Sequence, residues 1–346
     1  MRKLTILLIL LFTFSFPVSA SELTAPVPPE NAQDLMPAEQ NSFGEDLWYV
    51  IRSAFDALAP EITACCGICL GISAVVLLTT VFESLPGNSK NTAELVCTIA
   101  IGTMVFKTAN SLILDGANTV RQLSDYGKLL LPVMATATAA QGGISTSADL
   151  YTGTAIFDAL LSSLITNILI PLIYVYLALA VANSALGETL LHKLLELVKW
   201  LSSWSLKTIL YIFTGYITIT GILSGTADQS ALKATKLTIS GMVPVVGGIL
   251  SDASEAILVG AGAVKNTVGI YGLLAVLAIT IGPFMKIGIQ YLLLKLTAAV
   301  CAVFGSKRSS ELIGDLSTAM GLLLAMTGTV CLLFLISMVC FMKGVT

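Results

Sequence analysis

Runs of apolar residues close to the length of a bilayer crossing recur along this chain, and they constrain its fold more than any motif does. Ile62 to Phe82, Ala93 to Leu114, Ile156 to Asn183, Thr208 to Leu223 and Met320 to Met342 are dominated by apolar side chains. Ile270 to Phe284 and Ile287 to Phe304 read as two short spans or one long broken one, parted by Pro283 and Lys286. A helix crosses the hydrocarbon core with about 20 such residues. Only helices and closed barrels satisfy their own backbone polar groups there. Composition agrees: 55% of the 346 residues are hydrophobic and 11% are charged, against about 25% charged in soluble domains. Mean hydropathy is +0.89. The expected fold is all-α, a polytopic helical integral membrane protein of roughly 6–8 spans with amphipathic interfacial helices. The formal net charge of −3 says little, because the placement of Lys and Arg sets topology. No basic patch interleaved with aromatics points to nucleic acid.

Met1 to Ala20 reads as a secretory signal, with Arg2 and Lys3 ahead of the apolar run Leu4 to Phe16. Small residues at Val18 and Ala20 suit cleavage between Ala20 and Ser21. Ser21 to Glu61 is then an acidic extracytoplasmic segment. Its Pro-rich start (Pro26, Pro28, Pro29, Glu30, Asp34) is too polar to offset its ordering entropy and is expected to be flexible. From Phe43 to Leu58, Leu47, Val50, Ile51, Ala54, Phe55 and Leu58 recur at helical spacing. That pattern fits a short amphipathic helix at the outer surface, or one packed onto the membrane domain. Residues 62–346 form that domain.

Several features punctuate it. Gly67 and Gly71 spell GxxxG, as do Gly221 and Gly225, and such pairs let helices approach closely, within a chain or between copies. Asp115 to Gly153 is semi-polar; its first part reads as a helix, and the small-residue run Ala135 to Ala140, closing at Gln141-Gly142-Gly143, as a close-packed helix or an external hairpin. Pro171 is expected to kink the run from Ile156. Leu186 to Leu206 mixes Leu with His192, Lys193, Glu196 and Lys199, and Trp200 and Trp204 suit headgroup level. Its lysines place it on the cytoplasmic side. Three spans then separate it from the external segment. The side of Lys307-Arg308 depends on residues 215–304, and a full crossing there puts this basic pair inside. The seven cysteines all lie in apolar runs. Cys66 and Cys69 match CxxC, but no second pair or nearby histidine completes a metal or redox site.

The central stretch, Gly215 to Gly269, is apolar yet repeatedly interrupted by Gly and Pro, and it carries Lys233, Lys236, Asp252, Glu255 and Lys265. A charge at the bilayer centre costs about 2.5–3.5 kcal/mol on insertion scales. Irregular backbone at that depth persists only where protein or water covers it. Pro244 with Gly247 and Gly248 therefore indicates a broken or re-entrant segment. Asp252 and Glu255 share a face if helical. They then line a conduit or cation site, or pair in a buried seam with Lys233, Lys236 or Lys265; otherwise they lie in a solvated loop. The candidate conduit or interface residues are Lys233, Lys236, Pro244, Gly247, Gly248, Asp252, Glu255 and Lys265. A serine protease would need Ser73 beside a base, and the one histidine, His192, sits in a surface-type helix. An aspartyl pair of Asp158 and Asp252 has no recognisable motif. No catalytic, cofactor or metal site is expected.

Residues 231–236 (ALKATK), 243–248 (VPVVGG) and 250–256 (LSDASEA), together with the layout of signal, acidic segment and multi-span body, closely resemble stage III sporulation protein AE of endospore-forming bacteria. That resemblance implies a multi-pass protein of the mother-cell membrane around the forespore. It implies a subunit of a secretion-like channel complex with a cytoplasmic ATPase, ring-forming membrane proteins and a forespore partner, needed for late forespore development. No catalytic residue carries over. The alternative is an autonomous permease for a small solute, which broken helices and midplane charges also suit; the chain shows no convincing internal repeat. A purely structural scaffold is the third reading.

Overall fold

The structure, a computed structural model, describes residues 24–37, 42–83, 90–186, 189–242, 247–304 and 307–343. Side chains are described for these except at 83, 90–91, 189, 221–261 and 264. The described backbone is helical almost throughout. A short turn of helix, α1 (Glu30–Gln33), precedes α2 (Phe43–Glu83), α3 (Lys90–Ala140) and α4 (Ile144–Leu164). A π-helical turn (Ile165–Leu169) joins α4 to α5 (Ile170–Leu186). Then follow α6 (Thr189–Met242), α7 (Gly247–Val303) and α8 (Lys307–Lys343).

The long helices form antiparallel neighbours in chain order. Side-chain pairs fix the directions. Ser310 Oγ donates to the Ala298 carbonyl and Ser317 Oγ to the Tyr291 carbonyl, so α8 runs against α7. Ser124 meets Asp158, and Tyr174 OH donates to Asn110, so α4–α5 runs against α3. Phe157 packs edge-on to Phe213, and Tyr216 OH donates to the Asp149 carbonyl, so α6 runs against α4. By the same reading α3 and α8 are parallel, with Arg308 at Glu94 and Phe334 at Gly127. The chain is thus an up-and-down bundle of six rods, counting α4–π–α5 as one. At 1.5 Å per residue, the 51 residues of α3 extend about 77 Å, more than twice the ~30 Å hydrocarbon core.

The last helix lies at the centre. Buried residues recur along α8 from Leu312 through Leu323, Met326, Val330 and Phe334 to Phe341, and it touches α3, α4, α5, α6 and α7. Close packing depends on glycine there. A Cβ on Gly127 of α3 would run into the Phe334 ring, and one on Gly116 would stand 2.8 Å from Leu323. Several buried hydroxyls are satisfied within their own helices. Thr138, Thr280 and Thr327 each donate to a carbonyl four residues back, which removes the desolvation cost of an unmade bond.

Several expectations change. The amphipathic stretch 43–58 is not a separate helix: it continues through Pro60 into the first apolar run as one 41-residue helix. Val50, Ala54 and Leu58 face the core, while Trp48, Tyr49 and Phe55 are exposed. The Pro-rich tract, expected to be flexible, is packed over residues 24–37. Ala32 is fully buried, and Asn31 Nδ2 donates to Gln122 Oε1 at 3.1 Å. Ala25, Leu35 and Met36 pack beside Ala32 against the core. The small-residue run 135–140 belongs to α3, which ends at a turn where Gly142 adopts φ 93°, a conformation glycine reaches without steric cost. Pro283 interrupts nothing, for α7 runs through it as one helix. At Pro171, where a kink was expected, the local change is in the helical winding. The ring removes one backbone donor, and the turn before it widens to π geometry, with the Ile170 N–H reaching the Ile165 carbonyl.

Candidate functional site

The central stretch becomes the end of one rod and the start of the next. Gly221, Gly225, Lys233 and Lys236 lie in the C-terminal part of α6. Gly247, Gly248, Asp252 and Glu255 lie in the N-terminal part of α7. Pro244 and its neighbours 243–246 fall outside the described residues, as do the side chains of 221–261. Residues 251–255 are therefore helical, not a solvated loop. Lys233 with Lys236, and Asp252 with Glu255, each share a helix face by their spacing of three. Lys265 sits further along α7, 2% exposed. It is one turn past Gly262, where a Cβ would meet the side chain of Gln141 at the end of α3.

The two GxxxG pairs separate. The side chains around Gly221 and Gly225 are not described. Gly67 and Gly71 stand on the outer side of α2, with nothing within 4 Å of a Cβ built on either. The opposite side of the helix carries the buried Cys65, Cys69, Ile72 and Val76.

A polar groove forms where the sequence marked no site. Asp158 of α4 is 5% exposed and lies against α3. Ser124 Oγ donates to its Oδ2 at 2.7 Å, while Oδ1 is buried with no hydrogen-bond partner among the described atoms. The groove around them holds about 500 Å3. Arg121 and the 2.8 Å Lys128–Asp125 pair stand at its mouth, and Ser162, Ser163 and Thr166 continue its wall to the π turn. Apolar Leu129, Ile156 and Leu160 are exposed beside it. A carboxylate oxygen in such a place accepts a donor or a hard cation. Sequence reading weighed Asp158 only as half of an aspartyl pair with Asp252. Its partner, 34 residues away on another rod, depends on how two helices are rotated.

The remaining motifs resolve plainly. Ser73 Oγ donates to its own helix at the Cys69 carbonyl, and His192 lies 3.6 Å from Glu196 on the exposed side of α6. The two make no catalytic pair. Cys66 and Cys69 are free thiols, and no group of three metal-ligating side chains occurs among the described residues. Arg308 pairs with Glu94 at 2.6 Å, at the bundle end where α6 begins. This places Lys307 and Arg308 at the same end of the bundle as Lys193 and Lys199.

Five of the described helical stretches are long and apolar enough to cross a membrane, and the bundle they build is that of a polytopic helical membrane protein. The chain belongs to the stage III sporulation protein AE family, whose profile matches residues 31–344. It is similar to stage III sporulation protein AE of Bacillus subtilis (strain 168), 23% identical over 303 residues that cover 86% of this chain and 75% of that protein. No solved structure matches it. Its role therefore lies in sporulation, at a membrane.

Proposed function

We propose that this chain is a non-enzymatic membrane subunit of a secretion-like channel complex that links mother cell and forespore and supports late forespore development. The family match over residues 31–344 carries the reading. In this reading the chain sits in the mother-cell membrane around the forespore. It works beside a cytoplasmic ATPase, ring-forming membrane proteins and a forespore partner. Rods that outreach the bilayer suit the role, because they offer surfaces to partners beyond the lipid. The end of α6 and start of α7, with Lys233, Lys236, Pro244, Gly247, Gly248, Asp252 and Glu255, is assigned to subunit contact or conduit lining, and Lys265 to its root. The open Gly67–Gly71 side of α2 is a second place for a neighbouring helix, from a partner or another copy.

The test is crosslinking and co-purification of the tagged chain from sporulating cells, with identification of what is recovered. A stable complex containing an ATPase and ring-forming proteins is expected. Recovery alone, with solute uptake by the purified chain in vesicles, overturns the proposal in favour of an autonomous permease. Asp252→Ala with Glu255→Ala is expected to block spore formation while the protein still reaches the membrane.

A further inference from the structure

We infer that the bundle carries a built site for one anionic phospholipid, in a groove between α6 and α7 that α8 floors. The groove encloses about 610 Å3. Its floor is low because it is made of Gly321, Ala325 and Gly328. The rings of Tyr291 and Phe284 on α7 stand 3.1 and 3.2 Å from where a Cβ on Gly321 and on Gly328 would lie. A larger residue at either glycine would press on those rings and fill the trough. From Thr318 to Leu332 the floor runs about 21 Å, enough for an acyl chain spanning the ~15 Å of one leaflet.

Charge sits at one end only. Among the described residues lining the groove, Lys199 and Lys295 are the only charged ones. Lys295 lies one turn beyond Tyr291, and Tyr291 accepts from Ser317 of α8 through its carbonyl. Lys199 is within electrostatic reach of Asp315 on α8, two residues from Ser317. Both ammonium groups therefore stand at the end of the trough nearest the start of α8, and the apolar part leads away toward Leu332. Exposed Leu292, Leu296, Trp200 and Trp204 flank this end. The stacked indoles of Trp200 and Trp204, 5.9 Å apart, suit headgroup level.

An apolar trough bordered by exposed leucines faces lipid, so a lipid is its natural occupant. Two lysines at one end select the phosphate of an anionic headgroup, as basic pockets between membrane helices do. A zwitterionic lipid fills the trough equally well but brings its own cation against Lys199 and Lys295. The site is independent of the channel reading, since it needs only that the chain lies in a bilayer.

The experiment uses the full chain in nanodiscs of phosphatidylcholine doped with increasing phosphatidylglycerol, read as the shift in melting temperature. A saturable rise is expected. Lys199→Ala with Lys295→Ala is expected to weaken the apparent affinity roughly 30-fold, while Lys193→Ala with Lys207→Ala, exposed lysines of α6 outside the groove, leaves it unchanged. Ala325→Phe, at an exposed floor position, blocks the trough with both lysines intact and is expected to remove the rise as well. An unchanged rise in the double lysine variant overturns the site. So does a rise reproduced by inorganic phosphate alone, which would mark a free-anion site without a chain groove. Retention of the rise by Ala325→Phe overturns the acyl-chain part.

Discussion

The outer side of α2 and the seam between α3 and α8 are built from the same kind of residue to opposite ends. In the seam, Gly116 and Gly127 are filled by Leu323 and Phe334 of the central helix. On α2, Gly67 and Gly71 meet nothing of the chain within 4 Å. Lipid tails are as apolar as leucine, so helices in a membrane gain chiefly from close contact and not from escaping water. Small residues make that contact available but do not say who makes it. In the seam the partner is supplied 200 residues later in the same chain. On α2 the approach is left open.

The largest effect should come from the seam. Phe334→Ala leaves a cavity opposite Gly127 and is expected to cost about 3–5 kcal/mol, read as a lower melting temperature in detergent and reduced accumulation. Gly127→Leu overpacks the same spot and should cost about 1–3 kcal/mol. Combining it with Phe334→Ala should recover part of the loss, and strict additivity would break the assigned contact. Ser124→Ala removes the one hydrogen bond to Asp158 and should cost about 1–3 kcal/mol, with Ser124→Thr retaining most of the stability. Gly67→Leu on α2 is expected to change the melting temperature little, within about 0.5 kcal/mol, and to disturb only assembly, seen by crosslinking. A large loss of fold stability there would mean that the two surfaces are not different in kind. Comparably small, Arg308→Gln breaks a partly exposed pair with Glu94 and should cost about 0.2–1 kcal/mol, fading in high salt.

What sequence could read and what it could not divide along the same line. Hydropathy located the apolar runs, because bilayer crossing imposes a length that a window of residues can measure. It left the side of Lys307 and Arg308 open, because that side depends on whether the central stretch crosses fully. Proline was a poorer guide: a π turn precedes Pro171, yet Pro60 and Pro283 are carried inside continuous helices. The centrality of α8 was invisible, since a buried helix and a lipid-facing one look equally apolar. The groove at Asp158 was legible only as an isolated charge in an apolar run. Its hydroxyl partner, its orphan oxygen and its neighbouring ion pair arise from the relative rotation of two rods, which no local pattern records.

The π turn at 165–169 bears on that rotation. About eighteen residues make five ideal turns, so in a regular helix Tyr176 would project in the same direction as Asp158. Here the buried stripe from Asp158 to Tyr176 passes through the loosened turn, and its ends meet different rods: Asp158 takes its hydrogen bond from Ser124 of α3, and Tyr176 OH donates to Asp315 of α8. Five residues wound more loosely act as a phase shifter, re-clocking everything downstream while the axis of the rod carries on. One rod can thereby address two different neighbours along its length, and deleting a single residue from the turn would reset the clock and scramble the downstream half alone.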